Sequence, residues 1–158
     1  MDAKATIQAL MESIQQGDFE KAGSLLSEDF QFSGSAPEPV GGEAWLAMSR
    51  KMKKAFPDLD YHFHLVYMYA NTARISTQLR GTQTGTLDLT DRNMGKRRGS
   101  KRSFVSARED GRLTVEEGRV ISWVVQPSNG AGMKAILGQL GIKPSRKQSP
   151  AIRKPTPP

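Results

Sequence analysis

The sequence predicts an α+β domain in which helices pack on one face of a bent, antiparallel or mixed sheet, and three observations carry that prediction. Apolar residues up to Pro57 recur at helical spacing. From Leu59 to Val125 the pattern shortens toward period two, with many β-branched and aromatic residues, and a helical pattern returns from Met133 to Leu140. At 158 residues the chain is long enough to bury one core without covalent staples.

Ile7, Leu10, Met11 and Ile14 recur at spacings of three and four, which puts them on one face of a helix that Gly17 ends. Asp18 is placed to cap a second helix with Phe19, Ala22 and Leu26 turned inward. Phe30-Gln31-Phe32 reads as a short strand, and the Gly and Pro run from Gly34 to Gly42 as a loop. A third helix carries an inner stripe of Trp45, Met48, Met52 and Ala55 or Phe56. Its outer face is Arg50, Lys51, Lys53 and Lys54, and Pro57 stops it.

Two strands are expected over Leu59 to Tyr69 and Thr72 to Thr82, with Asn71 in the turn between them. Asp110-Gly111 reads as a hairpin turn joining Lys101 to Glu109 with Leu113 to Glu116. Val120 to Val125 makes the last strand, and a closing helix buries Met133, Ile136, Leu137 and Leu140 before Gly141 caps it. Residues 1–142 thus form the expected domain. Residues 143–158, rich in Pro and poor in apolar side chains, read as a basic disordered tail.

Without cysteine the chain has no disulfide, thiolate metal site or cysteine nucleophile, which fits a reducing compartment and makes the cytoplasm the expected location. The stretch from Met1 to Ile14 carries Asp2, Lys4 and Glu12 and lacks the order of a secretion signal. No apolar run approaches the roughly 20 residues that span a bilayer.

The net charge of +7 is clustered. The tail holds Lys143, Arg146, Lys147, Arg153 and Lys154 with no acid, and Arg92, Lys96, Arg97, Arg98, Lys101 and Arg102 are opposed only by Asp91. These two groups exceed the whole net charge, so the rest of the body is mildly acidic. Clusters of this kind attract nucleic acid, anionic surfaces or acidic partners. The loop lacks the interleaved aromatics that stack on bases, so a solvated loop is the simpler reading.

Five phrases in fixed order resemble the SnoaL-like polyketide cyclases of the nuclear-transport-factor-2-like superfamily, over roughly residues 5 to 142. They are Pro37-Glu38-Pro39-Val40-Gly41-Gly42, Phe56-Pro57-Asp58-Leu59, Arg80-Gly81-Thr82-Gln83-Thr84-Gly85, Gly118-Arg119-Val120 and Leu137-Gly138-Gln139-Leu140-Gly141. The resemblance implies a cone-shaped α+β barrel, a homodimer formed through the sheet, and an apolar pocket for a small molecule. It also implies an acid-base aspartate on the last strand, which falls on Val124 or Val125 here depending on the alignment. The histidine common in the family's Gly-Thr-His-Thr-Gly phrase is Gln83, which hydrogen-bonds but does not titrate.

His62 and His64, the only histidines, are the remaining catalytic candidates, since imidazole titrates near neutral pH. Set against them is the simpler reading that both lie on the solvent side of a strand whose other parity is Tyr61, Phe63, Leu65, Tyr67 and Tyr69. They offer two nitrogens to a metal but no recognisable third ligand, so neither a metal nor a cofactor is expected. Asp58 and Asp60 read as turn residues beside Pro57, and Asp88 as solvent-facing.

Three functions fit. The first is a pocket for a small, mostly apolar molecule positioned by Thr77, Gln83 and Trp123, with Trp45 lining it or filling the core. The second is a cyclase, isomerase or hydrolase using His62 or His64 as base. The third is an interaction module acting through residues 92–102 and the tail.

Overall fold

The computed structural model describes residues 2–35 and 37–143, so all of the expected tail beyond Lys143 lies outside the described residues. Helix α1 (Ala3–Gln16) starts where the Asp2 carboxylate accepts a hydrogen bond from the Ala5 amide at 2.7 Å. It buries the expected stripe of Ile7, Leu10, Met11 and Ile14 and ends at Gly17. Asp18 caps α2 (Phe19–Ser24) by accepting from the Lys21 amide at 3.1 Å. This helix stops short of Leu26, which instead opens strand β1 (Leu26–Ser33) and is buried there.

A short β2 (Val40–Gly41) leads into α3 (Gly42–Ala55), which ends before Pro57 as expected. Strands β3 (His64–Tyr69), β4 (Thr72–Thr77) and β5 (Arg80–Thr82) follow. Next come β6 (Leu87–Asp88), a 3-10 turn over Thr90–Arg92, β7 (Lys96–Arg97) and β8 (Ser103–Val105). Strands β9 (Glu109–Glu116) and β10 (Arg119–Gln126) and helix α4 (Met133–Gln139) complete the domain.

The main sheet has the order β2-β1-β10-β9-β4-β3. It is antiparallel except where β1 runs parallel to β10. The helices cover one of its faces, giving the α+β cone that the helical and period-two segments predict.

Two turns differ from expectation. Asp110-Gly111 is not a hairpin: β9 runs straight through it, paired with β4 on one side and β10 on the other. The tight turn is Glu117-Gly118, with φ of 51° and 76°. A two-residue hairpin of this hand needs positive φ at both positions, so pairing on both flanks, not the Asp-Gly dipeptide, decides where the chain reverses. The expected strand from Lys101 to Glu109 is correspondingly split between β8 and the start of β9.

The strand expected over Leu59 to Tyr69 is also broken. His62 takes a left-handed φ of 47°, and the β3–β4 register shifts between Leu65 and Tyr67. One added residue reverses side-chain parity beyond it. Met68 is therefore turned toward the core, whereas Tyr67 and Tyr69, read as inward, are 53% and 79% exposed.

Apolar side chains gather in two clusters. One joins α1, α2 and Trp45 to Ile75, Leu113, Val120 and Trp123 of the sheet. The other joins Phe56, Leu59, Leu87 and Phe104 to Ile136, Leu137 and Leu140 at the α4 end. The candidate site lies between them.

Candidate functional site

The antiparallel register puts Ala73, Ile75 and Thr77 of β4 opposite Leu113, Gly111 and Glu109 of β9, and Trp123 and Val125 of β10 opposite Leu113 and Gly111. Residues two apart on a strand share a face, so these side chains all project from the helix-covered side. Helix α3 faces them with Trp45, Met48 and Met52, and α4 with Met133 and Ile136. Between them is a mostly apolar cavity of about 220 Å³. It explains why Met48, read as a core residue, is 40% exposed: it borders empty space rather than packed neighbours.

Its aromatic wall is well packed. The Trp45 ring lies 5.4 Å from both Phe30 and Trp123, and Phe32 contacts both indoles at 5.9 and 6.0 Å. Tyr61 enters from the segment ahead of β3, stacked on Phe63 at 5.0 Å. Gln15 of α1 fixes that segment, donating to the Leu59 carbonyl at 3.0 Å and accepting from the Tyr61 amide at 2.9 Å. Burial pushes the Tyr61 phenol well above its usual pKa, so the hydroxyl stays protonated and able to donate.

Gly111 has a specific role in this wall. A Cβ there would lie 2.7 Å from the Trp123 indole nitrogen, so only glycine leaves room for that ring against β9.

The sequence-derived candidates separate cleanly. Trp45, Thr77 and Trp123 line the cavity. Gln83 does not: it is fully buried elsewhere, and its amide donates to the carbonyls of Gly85, Arg97 and Arg98 at 3.4, 3.2 and 3.0 Å. Its side-chain oxygen accepts from the Ser100 hydroxyl at 2.8 Å. Gln83 thus holds the 97–100 loop and has no amide group left for a ligand. His62 and His64 are both exposed and outside the lining, because the turn at His62 and the pairing of β3 direct them to solvent. Of the two valines at the last strand, Val125 faces the cavity and Val124 is 47% exposed on the other face.

Asp58 is exposed, but it accepts from the Thr82 amide at 2.8 Å and so ties the turn after α3 to β5. That hydrogen bond is the main reason its carboxyl sits below the ordinary value. Asp60 accepts from the His62 amide at 2.8 Å. The basic loop is divided in space. Arg92 borders the cavity, Arg97 donates to the Met94 carbonyl at 3.4 Å, and the Arg102 guanidinium lies against Gly141 at the end of α4. Lys96 instead joins Arg50, Lys51 and Lys54 in a surface groove of about 370 Å³, where Asp88 lies 3.9 Å from the Lys51 ammonium.

Among the lining residues that the sequence reading missed is Glu109. Glu109 projects inward beside Gly111 and opposite Thr77, half-buried in the lining. Reading Asp110-Gly111 as a turn put Glu109 at a strand end, where a glutamate calls for no explanation. The observable signal was the alternation Glu109, Gly111, Leu113, Val115, which continues the inward parity of β9.

A family model described as the SnoaL-like domain matches residues 7–123. The chain belongs to the SnoaL-like domain family. Solved structures agree at the level of fold. IdmH of Streptomyces antibioticus, described as a candidate polyketide cyclase, superposes with a TM-score of 0.66 at 20% identity over 90% of this chain and 100% of its own. A candidate SnoaL-like polyketide cyclase from Jannaschia sp. CCS1 gives 0.68 at 17% identity, covering 90% and 93%. An LEH-like epoxide hydrolase of M. tuberculosis gives 0.59 at 13%, covering 88% and 92%. No curated protein matches the chain. In this SnoaL-like domain the cavity lies between α3, α4 and the sheet. Among the described residues no helix is long and apolar enough to cross a membrane, and no cluster of three metal-ligating side chains occurs.

Proposed function

We propose that this SnoaL-like domain binds a small, mostly apolar molecule in the cavity between α3, α4 and the sheet, with Trp45 and Trp123 as its aromatic wall and Thr77 as a polar contact. The observation that carries this reading is the cavity itself, a space bordered by side chains of both apolar clusters and filled by neither. Burying an aromatic ligand of benzene to naphthalene size there removes apolar surface from water on both partners, at roughly 25 cal/mol per Å².

The two tryptophans are the only ones in the chain and both face this space, so intrinsic fluorescence reports on it directly. Titration with naphthalene is expected to change tryptophan emission saturably at about one molecule per chain. Emission that changes only linearly, with no plateau, would overturn the reading. Native mass spectrometry of freshly isolated protein would then identify any molecule the cavity retains.

The same reading pairs two copies through the outer face of the sheet. Tyr67, Tyr69, Val66 and Val124 are large apolar side chains exposed on the sheet, more than isolated surface residues call for. Sedimentation equilibrium is expected to return twice the 17.4 kDa chain mass. A chain that stays monomeric at micromolar concentration contradicts the pairing.

A further inference from the structure

We infer that Glu109 is the general base of this cavity, taking a proton from an uncharged apolar substrate that carries an acidic C–H. The inference rests on the ligand-binding reading above and assigns the chemistry of that same site.

The geometry comes first. Glu109 is inward on β9 and pairs with Thr77 of the adjacent β4, on the same side of the sheet as Gly111, Trp123 and Val125. A ligand seated against the two indoles therefore reaches the carboxylate without leaving the cavity. The other charged and titratable groups around it are few. Asp110 also borders the cavity, but its carboxylate accepts from Arg74 at 2.8 Å on the opposite face. Arg108 donates to the Ser76 hydroxyl at 2.9 Å. Arg92 borders the cavity from the 3-10 turn, Tyr61 is held protonated, and α3 and α4 contribute only Trp, Met, Ser, Gly and Ile to the lining.

Electrostatics make this carboxylate a better base than one in water. Burial raises the Glu109 pKa. A desolvated carboxylate gains more by accepting a proton. Charge that develops on the substrate has protein donors nearby, the Tyr61 hydroxyl and the Trp123 indole N–H that lies over Gly111. A carboxylate kept half-buried in this lining costs the fold stability, and such groups concentrate at functional sites.

The substrate is unidentified, so the test uses 5-nitrobenzisoxazole, a flat, uncharged aromatic that reports a desolvated carboxylate. The Glu109 carboxylate takes the C3 proton. The C–H electron pair becomes the third C–N bond, the N–O bond breaks, and oxygen leaves as a coloured phenolate. The Glu109 acid then returns its proton to water.

Wild-type protein is expected to give a saturable rate that rises with pH and levels off above the raised carboxyl pKa. Glu109→Gln should lose about a hundredfold. The linkage sign gives an independent check that the variant folds. Because the folded pKa lies above the unfolded one, the wild type loses stability as pH rises through that window, and E109Q does not. E109Q is therefore expected to be more stable than wild type at neutral pH and equal to it in acid. Naphthalene should still bind E109Q.

An E109Q rate equal to wild type, or a wild-type protein that binds naphthalene but shows no saturable turnover, overturns the base while leaving the cavity reading intact. Failure of naphthalene to bind wild type overturns both.

Discussion

Replacing Gln83 with leucine is expected to destabilise the domain by about 3 kcal/mol while leaving cavity binding unchanged. Leucine matches glutamine in size closely enough that the loss isolates hydrogen bonding. The side chain is fully buried, and its amide serves the carbonyls of Arg97 and Arg98 while its oxygen receives the Ser100 hydroxyl. Removing both partners at once leaves those groups in a dry site with nothing in return, and each such orphan costs about 1–3 kcal/mol. For a chain of this size, that corresponds to a fall in melting temperature of roughly 10 °C. Thermal denaturation measures it, and naphthalene titration below the transition should match wild type. A melting temperature within a degree or two of wild type, or a lost binding signal in folded protein, would contradict the structural role assigned to Gln83.

Trp45→Ala should combine a stability loss with a binding loss. Trp45 is 6% exposed and is the one ring in contact with Phe30, Phe32 and Trp123 together. Truncating a buried aromatic of this size costs about 3–5 kcal/mol, because the transferred surface and the cavity left behind both count. That new void would join the existing cavity, enlarging it and removing one wall, so a ligand sized for the native space loses contact on one side. Urea denaturation gives the first quantity. Quenching of the remaining Trp123 by naphthalene gives the second, and affinity should fall at least about tenfold. Unchanged affinity would place the bound molecule somewhere other than between the indoles. Trp45→Phe, which keeps an aromatic face, should retain most of both.

The contrast between these residues shows where sequence reading reached and where it stopped. Both tryptophans fell on inward positions of regular elements, which periodicity alone left open between core and lining, and in the structure both rings are buried and border the cavity. Gln83 sat in a phrase whose resemblance suggested a site, yet apart from Gly85 its partners are 14 to 17 residues away, in a loop without periodicity. His62 and His64 were set against a solvent-facing reading by strand parity, and that exposure is what the structure shows. Parity failed two residues later, at the irregularity near Val66, because a bulge is a property of the strand pair rather than of either strand.

Helix faces, the stops at Gly17, Pro57 and Gly141, and the change of period after Pro57 were determined by the chain alone. They depend on dihedral preference and on neighbours three or four residues away. Tertiary structure alone decided that Asp110-Gly111 lies flat within a sheet, and so that Glu109 looks into the cavity. A dipeptide able to turn will stay extended when strands on both sides supply its backbone hydrogen bonds, and those strands come from residues 72–77 and 119–126.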